Sequence, residues 1–277
     1  MNNILSVKID GLLVGPSNPV RVMSVINLSS ESFYKRSIAD SPEMFHKMID
    51  TAVKEGADII DIGAASSAPK EIYGTPEISI ERELERVNKS LSSIDVSKYP
   101  PISIDTTSSR VAEAALDLGV SMVNDISGLH ADVEIASLVA DRGVPIVLMA
   151  NCGTPCGSIQ ASLNSLKESL AIAGEVGIES ERILIDPGIG FGKPPEVDIA
   201  ILNDLNRFVG LNHPLLVGVS RKAFIGHVLG QPNPEDRLIG SLILSAFAVM
   251  RGASVIRTHD VRETKVAVQI GESLRGS

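Results

Sequence analysis

Arg182-Ile-Leu-Ile-Asp-Pro-Gly-Ile-Gly-Phe-Gly-Lys193 decides how this chain is read. A short run of branched apolar residues, Ile183 to Ile185, stops at a carboxylate, Asp186. A proline and three alternating glycines follow, and then a cation, Lys193. The run has the length of a strand buried on both faces. The glycines let the next loop bring its backbone close to a flat or anionic ligand. An ionisable side chain at the carboxyl end of a buried parallel strand is where α/β enzymes keep their chemistry. Asp-Pro-Gly is also a good turn sequence, so Asp186 on its own is equally a turn cap. The rest of the chain decides between the two.

The same event recurs. Val22 to Asn27, Ala57 to Gly63, Pro101 to Asp105, Ser121 to Asp125, Pro145 to Met149, Pro214 to Gly218 and Ser254 to His259 are short apolar runs, nearly all ending in a polar residue or glycine. With the Asp186 strand they number about eight, as a βα barrel requires. Between them lie segments of helical period. Met44 to Lys54 puts Phe45, Met48, Ile49, Ala52 and Val53 on one face, and Arg110 to Leu118 follows a Thr-Ser-Ser run that offers an N-cap. Leu163 to Val176, Val197 to Phe208, Leu238 to Arg251 and Glu263 to Leu274 have the same character. Gly56, Gly119, Gly143 and Gly252 stand where a left-handed residue ends a helix.

This alternation predicts an α/β fold, a (β/α)8 TIM barrel. An open doubly wound sheet is disfavoured, because Asn-Leu-Ser-Ser stands after the first strand where a dinucleotide fold carries its glycine-rich turn. The length, 277 residues, suits one barrel domain of ~250 residues with an addition. The addition is at the start, where Ile4 to Val20 alternates around Asp10-Gly11 and reads as an N-terminal β-hairpin closing the barrel bottom.

Hydrophobic residues make up 44% of the chain, enough for a large core, yet no apolar run is long enough to span a bilayer. Met-Asn-Asn-Ile opens without a basic segment and apolar stretch, so the expected setting is cytoplasmic, with no membrane partner. Cys152 and Cys156, the only cysteines, have the spacing of a redox pair or half a metal site. No second Cys/His pair stands nearby to complete a metal site. The net charge of −9 argues against a broad nucleic-acid footprint. A negative protein still binds an anion if its cations gather, and Lys193, Arg221, Lys222, Arg257 and His259 all fall at or just past expected strand ends.

In one order and without rearrangement, the segments beginning at Ile26 (INLSSESF), Gly56 (GADIIDIG), Ser103 (SIDT), Val123 (VNDISG), Asp186 (DPGIGFGK), Gly218 (GVSRK) and Arg257 (RTHDV) resemble the dihydropteroate synthases, pterin-binding βα barrels. The resemblance runs from about Arg21 to Gly271 and implies a transferase of folate biosynthesis. It would join hydroxymethyl-dihydropterin diphosphate to an arylamine, usually p-aminobenzoate, and release diphosphate. In that reading Asp105, Asn124, Met149, Asp186, Gly218 and Lys222 surround the pterin. Asp186 accepts from the ring N–H and exocyclic amine, and Asn124 both donates and accepts. Asp105, Lys222 and Arg257 carry catalysis, with Asp105 stabilising positive charge as diphosphate departs. Arg257, His259 and Asn27 face the diphosphate, with Asn27 also on its Mg²⁺. Ser67, Pro69, Phe191 and Ser220 border the arylamine, with ordinary packing an equal reading for Phe191. Family members tend to be homodimers, for which the apolar Leu238 to Met250 helix is either the seam or core packing.

The departures fall in three loops. Ser66-Ser67-Ala68-Pro69-Lys70 stands where the family usually has Ser-Thr-Arg-Pro-Gly, so an arginine is missing, and Arg36 or Lys70 is the expected replacement on the diphosphate. Tyr34-Lys35-Arg36 replaces acidic and glycine residues. Met149-Ala150-Asn151-Cys152-Gly153 replaces Met-His-Met, which changes the wall beside the pterin. Such loops resemble archaeal members, whose acceptor is a ribofuranosylaminobenzene phosphate. A methyltransferase passing a methyl group from a reduced folate to a corrinoid protein shares the barrel and its acids, but has no use for Arg257, His259 and Ser220-Arg221-Lys222. A barrel that binds pterin without catalysis is the third reading, for which Ala68 and Ala150 speak.

Overall fold

The computed structural model describes residues 4–29, 34–65, 74 and 78–275. The chain enters through two short antiparallel strands, β1 (Val7–Ile9) and β2 (Leu12–Val14), paired Val7 to Val14 and Ile9 to Leu12. Asp10 and Gly11 join them with φ of 44° and 87°. Positive φ at both central residues is the tight turn whose twist matches a hairpin.

Eight parallel strands then close on themselves: β3 (Arg21–Asn27), β4 (Ile59–Gly63), β5 (Ile102–Asp105), β6 (Met122–Asp125), β7 (Ile146–Met149), β8 (Ile183–Asp186), β9 (Leu215–Gly218) and β10 (Ala253–Thr258), with β10 returning to β3. The expected (β/α)8 barrel and its N-terminal hairpin are therefore present. Around it lie α1 (Pro42–Lys54), α2 (Ile80–Leu91), α3 (Ser109–Asp117), α4 (Glu134–Arg142), α5 (Ile159–Glu175), α6 (Pro195–Asn203), α7 (Leu205–Val209), α8 (Ala223–Leu229), α9 (Leu238–Met250) and α10 (Val261–Arg275).

Two apolar layers follow from the two-residue period of a strand. One side of each strand meets the helices: Ile60 and Ile62, Ile102 and Ile104, Leu148, Ile185 and Val217 pack in one cluster with Phe45, Ile49 and Phe208. Each such side chain, fully buried, contributes about 1.5–3 kcal/mol. The other side points inward. Met23, Ile59, Met122, Val147, Leu184, Leu216 and Val255 make a separate inner layer, against which the hairpin lays Val7, Ile9 and Val14. These inner residues lie toward the amino ends of their strands, so the hairpin covers the barrel at that end. Two positions further along the same strands the inward residues are Asp61, Asn124, Met149, Asp186, Gly218 and Arg257. Polar chemistry begins one layer above the apolar plug.

The helices depart from expectation in three places. The Val197 to Phe208 helix breaks at Asp204, which has a non-helical φ of −114°, into α6 and α7. Val53 in α1 faces outward while Phe45, Ile49 and Ala52 are buried. The start of α3 takes no cap from its own Ser108. Asp132, on the next loop, accepts from Ser109 N at 2.7 Å, a stronger acceptor than a hydroxyl. Gly56, Gly119, Gly143 and Gly252 do end helices at positive φ.

Candidate active site

Strand register brings the polar residues together. Asp105 is level with Gly63 and with Asn124, Asp186 with Met149, and Gly218 with Arg257. Arg257 spans the mouth: Nε donates to Asp61 Oδ2 at 2.7 Å and Nη2 to Asp105 Oδ2 at 2.8 Å. Asp61 Oδ2 also accepts from Asn124 Nδ2 at 3.1 Å. One guanidinium and one amide are thus fixed by two buried carboxylates. Burial works against the Arg257 charge, but Asp61 and Asp105 outweigh it and raise its pKa above the ordinary value.

Asp61 is the principal residue the sequence reading passed over. It lies in the middle of an apolar run, where a carboxylate looks like an exposed alternation, but its parity is that of the inward residues. It is fully buried, and its Oδ1 has no hydrogen-bond partner among the described residues. Because Asn124 spends its amide N–H₂ on Asp61, it turns its carbonyl oxygen elsewhere.

Asp186 and Lys222 form the second half of the site. Gly188 N donates to Asp186 Oδ1 at 2.7 Å. Burial raises the Asp186 pKa, opposed by the Lys222 ammonium and by that N–H. Burial lowers the Lys222 pKa to about 8 against the pull of Asp186 and Asp198. Lys222 Nζ donates to Ile189 O and sits 4.2 Å from the Phe191 ring centroid, so Phe191 packs under a catalytic candidate. At Gly218 an added Cβ would lie 3.7 Å from Arg257 Cβ and 3.9 Å from Lys222 Nζ, so glycine leaves room between the two cations. Met149 is buried beside the glycine loop.

The five strand-end cations share one end of the barrel, but their charges are spent differently. Arg221 is buried in a two-pronged pair with Asp260, at 2.7 and 2.8 Å, and lies over the Tyr34 ring. Lys193 is buried, with Nζ donating to Gly188 O. His259 is not a cation: burial, then Arg257, Arg221 and Lys222, hold its pKa down at about 3. Ser220 Oγ lies 3.0 Å from its Nδ1 and accepts from its backbone N–H at 3.2 Å. The two contacts hold the imidazole in one orientation, with the donor between Oγ and Nδ1 set by the tautomer. Ser220, expected on the arylamine side, thus orients His259. Lys222 and Arg257 remain as cations of the hollow.

Asn27 Nδ2 donates to Ser37 Oγ at 2.7 Å, and its Oδ1 faces Gly63. That leaves one neutral oxygen, a suitable hard donor for Mg²⁺. Among the described residues no cluster of three His, Cys, Asp or Glu side chains can hold a metal ion. Arg36, expected on the diphosphate, is exposed and pairs with Glu235 at 3.3 Å. Ser67, Ala68, Pro69 and Lys70 lie outside the described residues. Cys152 and Cys156 are joined as a disulfide, neither a metal half-site nor free thiols. Among the described residues no helix is long and apolar enough to cross a membrane.

The model of a family described as pterin binding enzyme matches residues 23–259. The dihydropteroate synthase of Synechocystis sp. is 36% identical over 91% of this chain and 89% of its own. A Coxiella burnetii dihydropteroate synthase solved with pteroic acid superposes with a TM-score of 0.86 at 34% identity, covering 98% of each chain. That of Xanthomonas albilineans, solved with 4-aminobenzoic acid, gives 0.87 at 33% identity, again over 98% of each.

Proposed function

Because the chain belongs to the pterin binding enzyme family, with the dihydropteroate synthases, we propose that it condenses 6-hydroxymethyl-dihydropterin diphosphate with 4-aminobenzoate and releases diphosphate. The observation that carries this is the inward ring of Asp61, Asp105, Asn124, Asp186 and Arg257 one step above an apolar plug. A pterin has apolar faces and an edge of N–H donors. Asp186 and the carbonyl of Asn124 are acceptors for that edge, each charged or dipolar in a dry setting. Lys222 donates toward the ring carbonyl.

In the reaction the methylene–oxygen bond breaks with its electron pair leaving on diphosphate. The amine lone pair forms the new carbon–nitrogen bond, and the amine then loses a proton to water. Positive charge that develops on the pterin meets Asp105, held in place by Arg257. Negative charge on the leaving group meets the remaining Arg257 N–H donors and the His259 imidazole. Mg²⁺, held by Asn27 and the phosphate oxygens, would supply further neutralisation. Phe191 and Ser220, with Ser67 and Pro69, border the acceptor in this reading, and Arg36 adds a cation only by leaving Glu235. The setting that goes with the reading is a cytoplasmic homodimer.

The test is turnover: the purified protein, Mg²⁺, the pterin diphosphate and 4-aminobenzoate should yield dihydropteroate and diphosphate in equal amounts. Product with a ribofuranosylaminobenzene phosphate alone would change the acceptor. Pterin binding with no diphosphate release from either acceptor would refute the synthase assignment.

A further inference from the structure

Asp198 lies in the first turn of α6, only 1% exposed, on the far side of the glycine loop from the hollow. Its Oδ1 accepts from Gly190 N at 2.9 Å. Gly190 leaves less room for a side chain than Gly188 does. A Cβ added there would lie 2.3 Å from Lys222 Cδ, 3.1 Å from Cγ and 3.2 Å from Cβ. One glycine therefore touches Asp198 through its N–H and Lys222 through its Cα. On either side of it the loop's carbonyls take up cations: Gly188 O accepts from buried Lys193, and Ile189 O from Lys222.

We propose that Asp198 is a positioning residue for Lys222, anchoring the Gly188–Gly192 loop through Gly190 and supplying the counter-charge to Lys193 and Lys222 from behind it. The proposal rests on the pterin reading only for what Lys222 does; the arrangement itself is geometric. Two carboxylates, Asp186 on β8 and Asp198 on α6, balance two ammonium groups, Lys193 on the loop and Lys222 at the start of α8. Arg257 on β10 adds a further positive charge, and neutral His259 adds none. Asp61 and Asp105 are taken up by Arg257, so without the Asp198 charge Lys193 and Lys222 share the single counter-charge of Asp186 in a low-dielectric place, where like charges are least screened. The directions of the shifts agree: burial lowers Lys193, and Asp198 is the first of the groups opposing it. Asp198 itself is raised by burial, with Gly190 N–H, Lys193 and Lys222 opposing. An acidic residue at a helix start is otherwise only a helix stabiliser, and that simpler role makes a different prediction.

The experiment compares Asp198→Asn and Lys193→Met with the unmodified protein in two pH series, one of turnover and one of pteroic acid affinity by calorimetry. Asparagine keeps the shape and an oxygen for Gly190 N–H but removes the charge. The alkaline fall of both series should move down by about one pH unit, which at pH 9 is close to a tenfold loss. Lys193→Met removes a neighbouring cation and should move the fall upward. Opposite shifts from the two variants are not expected of a structural defect. Alkaline limbs that superimpose on the unmodified protein's in both variants would overturn the proposal. If Asp198→Asn does not fold, the upward shift in Lys193→Met decides alone. An unmodified protein that binds pteroic acid without turnover would remove the synthase reading, while the binding series would still judge Asp198.

Discussion

Arg257 and Asp105 stand 152 positions apart in the chain and meet at 2.8 Å, with buried Asp61 on the Nε of the same guanidinium. The pair belongs both to the fold and to the chemistry. Arg257→Gln leaves Asp61 and Asp105 facing each other without their shared cation. Removing one partner of a buried pair typically costs about 3–5 kcal/mol. Urea unfolding should register that loss, and turnover should fall with it. A variant within about 1 kcal/mol of the unmodified protein would show that these carboxylates are neutralised another way.

The pH dependence follows from Lys222, whose pKa is lowered to about 8. If the ammonium form is the one that donates to the pterin, kcat/KM should fall as pH rises through about 8. Stability has the opposite sign. Between about 8 and the ordinary 10.5 the unfolded chain keeps a proton that the folded chain has released. The Lys222 contribution to stability therefore rises with pH in that window. His259, near 3, stays neutral across the whole range, so no acid limb near pH 6 is expected from it. A rate profile flat from pH 7 to 10 would remove the Lys222 ammonium from the rate-limiting events.

Gly190→Ala tests the close approach directly. At φ of +76° a side chain costs about 1–3 kcal/mol in backbone strain alone. Its methyl would also meet the middle of the Lys222 side chain, which must swing away from Ile189 O and the Phe191 ring. Stability should drop by that strain, and kcat by at least about tenfold, the equivalent of one lost 1.4 kcal/mol contact. Gly177→Ala, also at positive φ (+86°) but with open space around its Cβ and past the end of α5, is the control and should show the strain without the loss of turnover.

The outer helices carry the fourth test. Ile239 and Ile243 on α9 are 71% and 64% exposed, beside an apolar groove of about 380 Å³ lined by Phe224, Val228, Leu229, Leu244 and Phe247. Contiguous apolar surface of this kind marks an association face. Ile243→Glu should shift a dimer to monomer in sedimentation at micromolar protein. An unmodified protein that already sediments as a monomer, or a coefficient that does not change in the variant, would refute α9 as an association face.

The strands were legible because each is a short apolar run ending in a polar residue, and a barrel of buried parallel strands needs nothing more. Asp105, Asn124 and Asp186 stood out for the same reason, since each ends or nearly ends its run. Asp61 did not, because it is flanked by isoleucines and only the inward parity of its strand reveals it. Asp198 was hidden inside a helix whose polar residues read as surface. The charge states were hidden as well. The sequence places Arg221 and His259 beside Lys222, but only the fold shows Arg221 consumed by Asp260 and His259 kept neutral by burial and, after it, by three neighbouring cations. The break at Asp204 has no signal in hydrophobic period, since Leu205 and Phe208 continue the apolar face across it.

The inner apolar layer, with Val7, Ile9 and Val14 of the hairpin laid beneath it, closes the amino end of the barrel, so a ligand among the inward polar residues reaches them from the carboxyl ends of the strands. Whatever sits deepest must arrive before its companion and depart after it, or with it. A ligand bound near the rim would then lock the deeper one in place, so traffic order follows from a few residues that never approach the chemistry.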